Sequence, residues 1–345
     1  LASCLPLCLT AAEAGEYSEV STHQTISEET HNTEKTRFAV TDKEQNRGGA
    51  LLLEAPYVLA GGSVFEGNQA AESGGAVYTD SKGRILSEGP LTFSGNNARD
   101  GGAIYLEASG NNSFDSGAVF TGNTSKGCGG ALYISDGSDL KIAGGASFTG
   151  NAAGDRGGAI YNAGNLLLDT TGGDITFKDN KAGGKGNDIH LGQSQSNAPL
   201  ITITDTHSVT LTGGLTMDST WYNADALDGI TPSVDDLAGH TLITVSKENL
   251  QGNLSLGGSL TSGRYNKLFL AGGTKDIEKS FTLSEGSLLV LYSGALNIGG
   301  DFTVKSNTET VAVRKEISVK SQNEKEITAL RHEKARTLIR YALFL

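Results

Sequence analysis

Cysteine, proline, tryptophan and methionine are all scarce in this chain of 345 residues, at three, five, one and one. Cys4 and Cys8 fall within the first fourteen residues, so beyond that stretch Cys128 is alone and no internal disulfide braces the fold. Packing and hydrogen bonds must hold it instead. The few prolines exclude collagen and proline-rich linkers. No stretch reaches about 18 consecutive apolar residues, so no membrane-spanning helix is expected. Positive charge is also short: the formal net charge is −12, which repels phosphate backbones and argues against a nucleic-acid partner.

The usual signatures of chemistry are missing too. There is no Gly-x-Ser-x-Gly elbow, no Walker loop and no Rossmann fingerprint. The histidines, at 23, 31, 190, 207, 240 and 332, never pair at metal-ligand spacing. Asp235 and Asp236 are adjacent, and neighbours on a strand point to opposite sides, so a solvated loop suits them better than a catalytic dyad. Gly183-Gly-Lys-Gly-Asn-Asp188 resembles one calcium-binding nonapeptide turn, but such sites form between consecutive copies and this one is solitary; a degenerate repeat is the simpler account. Cys128 precedes a glycine pair, where equivalent phrases carry Ser73, Asp100 and Arg156, and this is a tolerant turn position. The expectation is therefore no catalytic residue, no metal and no cofactor.

What is abundant is glycine, 47 of 345 residues. Glycine pairs begin at Gly48, Gly74, Gly101, Gly129 and Gly157, with a weaker pair at Gly183, and four of them open near-identical phrases such as "GGAIY". A second phrase keeps step, with phenylalanine and asparagine three apart: Phe65 and Asn68, Phe93 and Asn96, Phe120 and Asn123, Phe148 and Asn151, Phe177 and Asn180. Apolar pulses of three to five residues, rich in Ile, Val, Leu, Phe and Tyr and broken by Gly, Asn and Asp, read as short strands between tight turns rather than as helices. A leucine-rich repeat has a comparable period, but its L-x-x-L-x-L frame is missing.

An all-β, right-handed parallel β-helix with one repeat per coil gives each recurring residue a task. Like side chains then stack about 4.8 Å apart. The five phenylalanines form an internal column, and the five asparagines form a ladder at a corner, each amide satisfying its neighbour and the turn backbone. Strand alternation sends Val77, Ile104, Leu132 and Ile160 inward, and Tyr78, Tyr105, Tyr133 and Tyr161 outward as an aromatic stripe. That stripe is the candidate surface for binding, with simple coverage of the coil surface as the competing role.

The paired phrases G-G-A-[ILV] and F-x-x-N over residues 46–193 resemble the repeats of chlamydial-type polymorphic outer-membrane proteins. The resemblance implies an autotransporter passenger, a β-helix exported and displayed on the cell surface, with an adhesive role and a host-cell protein or glycan receptor as partner. It also implies an outer-membrane translocation barrel, which the stretch after residue 305 is too short to hold. The first repeat departs by carrying Leu52 where the others carry tyrosine. A β-helical polysaccharide lyase or hydrolase, which needs clustered acids in an external groove, is the rival reading, and a purely structural envelope component is a third.

Around this array, residues 1–14 read as the tail of a secretion signal ending in Ala12-Glu13-Ala14, although Leu1–Cys4 also fits a lipobox. Residues 15–45, rich in Ser, Thr and Glu, read as a flexible or capping leader. Residues 194–305 keep short β-branched runs and continue the β-helix less regularly, with a loop from Trp221 to Asp236. Residues 306–345 turn basic and read as a linker or truncated tail with an amphipathic, helical pattern.

Overall fold

In the computed structural model, the described residues are 17–40, 44–107, 110–192, 200–204, 207–217, 241–245, 253–256, 260–261, 267–271, 274–283, 288–291, 295–305, 309–312 and 318–320. They form a parallel β-solenoid. Its three long walls are sheets of 12, 8 and 11 strands, and two smaller sheets of five and three strands lie at the corners. Among the described strands every pairing is parallel except one, the hairpin of Lys181–Ala182 with Lys185–Gly186.

The 12-stranded wall carries the phenylalanines. Val64–Glu66, Leu91–Ser94, Ala118–Thr121, Ser147–Thr149 and Ile175–Lys178 follow one another, so Phe65, Phe93, Phe120, Phe148 and Phe177 are paired partners in register. The eight-stranded wall carries the tyrosines through Val77–Thr79, Ile104–Leu106, Leu132–Ile134 and Ile160–Asn162. There Val77, Ile104, Leu132 and Ile160 align and are buried, as alternation requires. The 11-stranded wall closes the coil, with Leu140 over Leu166 and Ile142 over Leu168. Burying each such Leu, Ile or Phe contributes about 1.5–3 kcal/mol, and the interior is one continuous cluster.

The turn glycines explain why the phrase recurs. Gly101 sits at φ +62°, a left-handed conformation that L side chains rarely adopt. Gly102 is needed for space: a Cβ there would run into the carbonyl oxygen of Gly130 in the next coil. From Gly75 through Gly158, successive coils approach too closely at this position for a side chain.

Of the two readings of residues 15–45, flexible or capping, the strands there fit the capping one. The polar leader supplies strands at Ser18–Val20, Gln24–Ile26, Thr30–His31 and Thr36–Phe38, and it packs on the array in register. Phe38 pairs with Phe65 and is buried, so the phenylalanine column starts one coil before the first F-x-x-N phrase. At the other end, the helical pattern read into residues 306–345 is overturned where the chain is described: Glu309–Ala312 and Ser318–Lys320 are strands added to two of the long walls. Edge pairing with the preceding coil satisfies their backbone, and this outweighs the local charge pattern. The signal-like residues 1–14, the loop from Trp221 to Asp236 and Asp235 and Asp236 themselves lie outside the described residues.

The register also moves the sixth glycine phrase. Ile160 pairs with Ile189, so Asn187 and Asp188 stand where Gly158 and Ala159 stood one coil earlier. Gly183 and Gly184 instead make the tip of the Lys181–Gly186 hairpin, which takes up the surplus residues.

Candidate functional site

Within the interior, the phenylalanine rings stack nearly parallel. Centroids from Phe38 through Phe65, Phe93, Phe120 and Phe148 to Phe177 are 4.4, 4.7, 4.8, 4.7 and 4.5 Å apart, tilted by 3–6°. The spacing is that of neighbouring strands, so ring contact follows from backbone pairing.

One corner along, the asparagines form the ladder. Asn96 shows the rule. Its Nδ2 donates to Phe65 O at 3.1 Å and to Asn123 Oδ1 at 2.9 Å, and its Oδ1 accepts from the backbone N and the Nδ2 of Asn68 at 2.9 Å each. All four bonding positions of the amide are used, which is the condition for burying it. Asn123 and Asn151 repeat the pattern, and all five ladder asparagines are buried.

The ladder closes on a carboxylate. Phe177 pairs with Leu211, so the next asparagine position falls on Gly214, which has no side chain. The two duties of the missing amide are divided. Thr212 Oγ1 donates to Phe177 O at 3.1 Å, and Asp188 Oδ1 accepts from Asn180 Nδ2 at 2.7 Å. Asp188 Oδ2 accepts from Gly213 N at 2.6 Å, and the residue is fully buried. Burial pushes its carboxyl up to about 6, against the opposing pull of the bonds from Asn180, Gly213 and Gly214. The carboxylate of the calcium-like phrase is thus turned inward as the last rung of an amide ladder.

The tyrosine stripe lies on the outward side of its wall, but two of its four rings are not open. Tyr78 is 2 % exposed and Tyr161 8 %, whereas Tyr105 and Tyr133 are half-buried. Alternation fixes the side a residue points to and not what covers it. The rings stack tangentially, with centroids 5.4 Å from Tyr78 to Tyr105, 4.5 Å to Tyr133 and 4.6 Å to Tyr161. Charged or polar groups close both ends. Arg47 lies 4.9 Å over the Tyr78 ring and donates to its hydroxyl, while His190 continues the stack at 5.5 Å from Tyr161. Gly192 leaves the room that the Tyr161 hydroxyl occupies. Burial, with Tyr161 and Tyr105 on either side, holds the Tyr133 hydroxyl far above the usual phenol range. His190 was not predicted as a member of this column; counting strand register from Tyr161, rather than searching for tyrosine, finds it.

A shallow cleft of about 350 Å³ lies on the 11-stranded wall, lined by Asn111, Asp139, Lys141, Asn165 and Leu167 among others. Its charged groups are engaged: Asp139 accepts from Asn165 at 2.6 Å, and Lys141 bridges Asp115 and Asp169, which lie beside the cleft, at 3.1 and 3.2 Å. Cys128 sits in the turn between Asp100 and Asp155, where burial and both carboxylates push its thiol up to about 11. That is the reverse of what a nucleophile needs.

Residues 62–80, 90–107, 117–135 and 145–163 each match the repeat of the Chlamydia polymorphic membrane protein family. The chain is similar to that family through these four segments. Each begins at a phenylalanine strand, turns at the ladder asparagine, passes the glycine pair and ends just after the tyrosine of the next wall. One such repeat therefore carries one member of every column described above. The columns run past the matched repeats, to Phe38 on one side and to Phe177, Asn180 and His190 on the other. No curated protein and no solved structure matches the chain.

Proposed function

We propose that this chain is the exported passenger of an outer-membrane protein of the autotransporter kind, and that it acts without catalysis. It is a rod that holds contact surfaces out from a cell for adhesion and antigenic display. The observation that supports this reading is the unbroken register of the segments similar to polymorphic membrane protein repeats, in which the recurring phenylalanine, asparagine and tyrosine of each repeat stack on their counterparts in the next coil. The partner is a host-cell protein or glycan, met along the outer wall. The accessible edges of Tyr105 and Tyr133, with Arg47 and Glu107 beside them, are the candidate contact.

The test applies the full chain to host cells and to a glycan array, beside a Tyr105→Phe, Tyr133→Phe variant that keeps the rings and removes the hydroxyls. Saturable binding by the native chain, weakened in the variant at unchanged melting temperature, supports the reading. Absence of any binding, or release of sugar from a polysaccharide panel, overturns it.

A further inference from the structure

We infer that Asp188 makes the joint between the repeat array and the coil after it pH-sensitive, closing more firmly in mild acid and loosening towards neutrality. Gly214 leaves the next rung of the ladder without a side chain. Wherever the ladder continues, a neutral amide receives the two bonds donated by the preceding asparagine, as Asn123 does for Asn96 and Asn151 for Asn123. At the joint a carboxylate reaches across from the neighbouring corner to accept from Asn180 Nδ2 and Gly213 N. Asp188 N in turn donates to Gly214 O, so both chain segments of the joint are tied through one residue.

Among the described residues no cation faces this carboxylate. Lys178 on the phenylalanine wall and Lys181 and Lys185 on the hairpin are exposed, the charge acting on it is that of Asp179, which opposes ionisation, and His190 on its own strand is engaged with Thr216 and Tyr161. Ionisation therefore places a charge in a buried corner, where the Asn180 amide and backbone dipoles receive it. The sign follows from linkage. The carboxyl titrates near 3.8 when the joint is open and near 6 when it is closed, so the closed joint holds the proton more tightly. Stability from this residue is fully present below about pH 3.8 and is lost as pH rises through about 6. Between pH 5 and pH 8 the opening constant of the joint rises about tenfold by this residue alone.

Hydrogen exchange of the full chain, corrected for intrinsic rates, tests this on peptides covering residues 176–182 and 209–216 at pH 5 and pH 8, in wild type and Asp188→Asn. Asparagine keeps the acceptor for Asn180 and cannot ionise. The expected result is that opening at these peptides increases about tenfold with pH in wild type and stays level in the variant. Peptides around Phe93 and Phe120 serve as internal reference and show no such difference. An equal pH response in both proteins overturns the inference. Should Asp188→Asn not fold, the wild-type chain still decides: no change at 176–182 and 209–216 relative to the reference peptides also overturns it.

Discussion

An asparagine in the ladder serves two coils at once, and its removal strands groups in both. Asn123→Ala would leave the backbone N and Nδ2 of Asn96, the Phe93 carbonyl and the Asn151 oxygen short of partners. At about 1–3 kcal/mol for each buried group left unsatisfied, the loss exceeds that of any single hydrogen bond. Denaturant midpoints should show it beside Thr121→Ala, an exposed position in the same coil whose cost stays within about 0.5 kcal/mol. Phe120→Ala should cost about 3–5 kcal/mol, because its stacked neighbours Phe93 and Phe148 cannot collapse into the gap without leaving their strands. Cys128 gives a prediction of another kind. With its thiol held near 11 rather than 9, alkylation at pH 8 should run roughly a hundredfold slower than for a free cysteine. Asp100→Asn should recover part of that rate, since Asp100 is the first of the two carboxylates that raise it.

Among the elements, legibility tracked how completely a residue's task is local. Phe65 and Asn68 could be read because their spacing recurs and a strand-to-turn geometry fixes both roles. Phe38 escaped because the residue three on is Thr41, so only the period, and no phrase, marks it. The covering of Tyr78 by Arg47 depends on a side chain from the preceding coil, which no local pattern contains. Asp188 escaped for the same reason: its partner Gly213 is set by the register of a later strand. The continuation beyond the array holds one more such case. Lys275 points inward, in register between Leu254 and Leu296, and burial pulls its ammonium down to about 7. The folded state thus binds that proton less tightly than the unfolded chain, so stability from this residue rises with pH between about 7 and 10.5. Lys275→Met should flatten that slope in thermal melts and stabilise the protein below pH 7.

At the scale of the whole molecule, stability is close to a sum over rungs and their interfaces, because each coil touches only its neighbours. Hydrogen exchange should therefore be slowest between about Phe93 and Phe148, where all columns are continuous, and faster towards both termini. The absence of that gradient would mean that the rod opens as one unit.

The outward positions of the phenylalanine wall carry a different consequence. Thr92, Val119, Ser147 and Thr176 occupy one equivalent place in successive strands, and they differ in kind from coil to coil while the residue beside them is phenylalanine each time. Phe65, Phe93, Phe120 and Phe148 are separated by 28, 27 and 28 residues, and every joint between them is made in the same way. A segment of that length could be duplicated or excised by recombination and both new neighbours would meet a familiar surface. The coat and the reach of the protein are thereby open to change while its scaffold stays as it is.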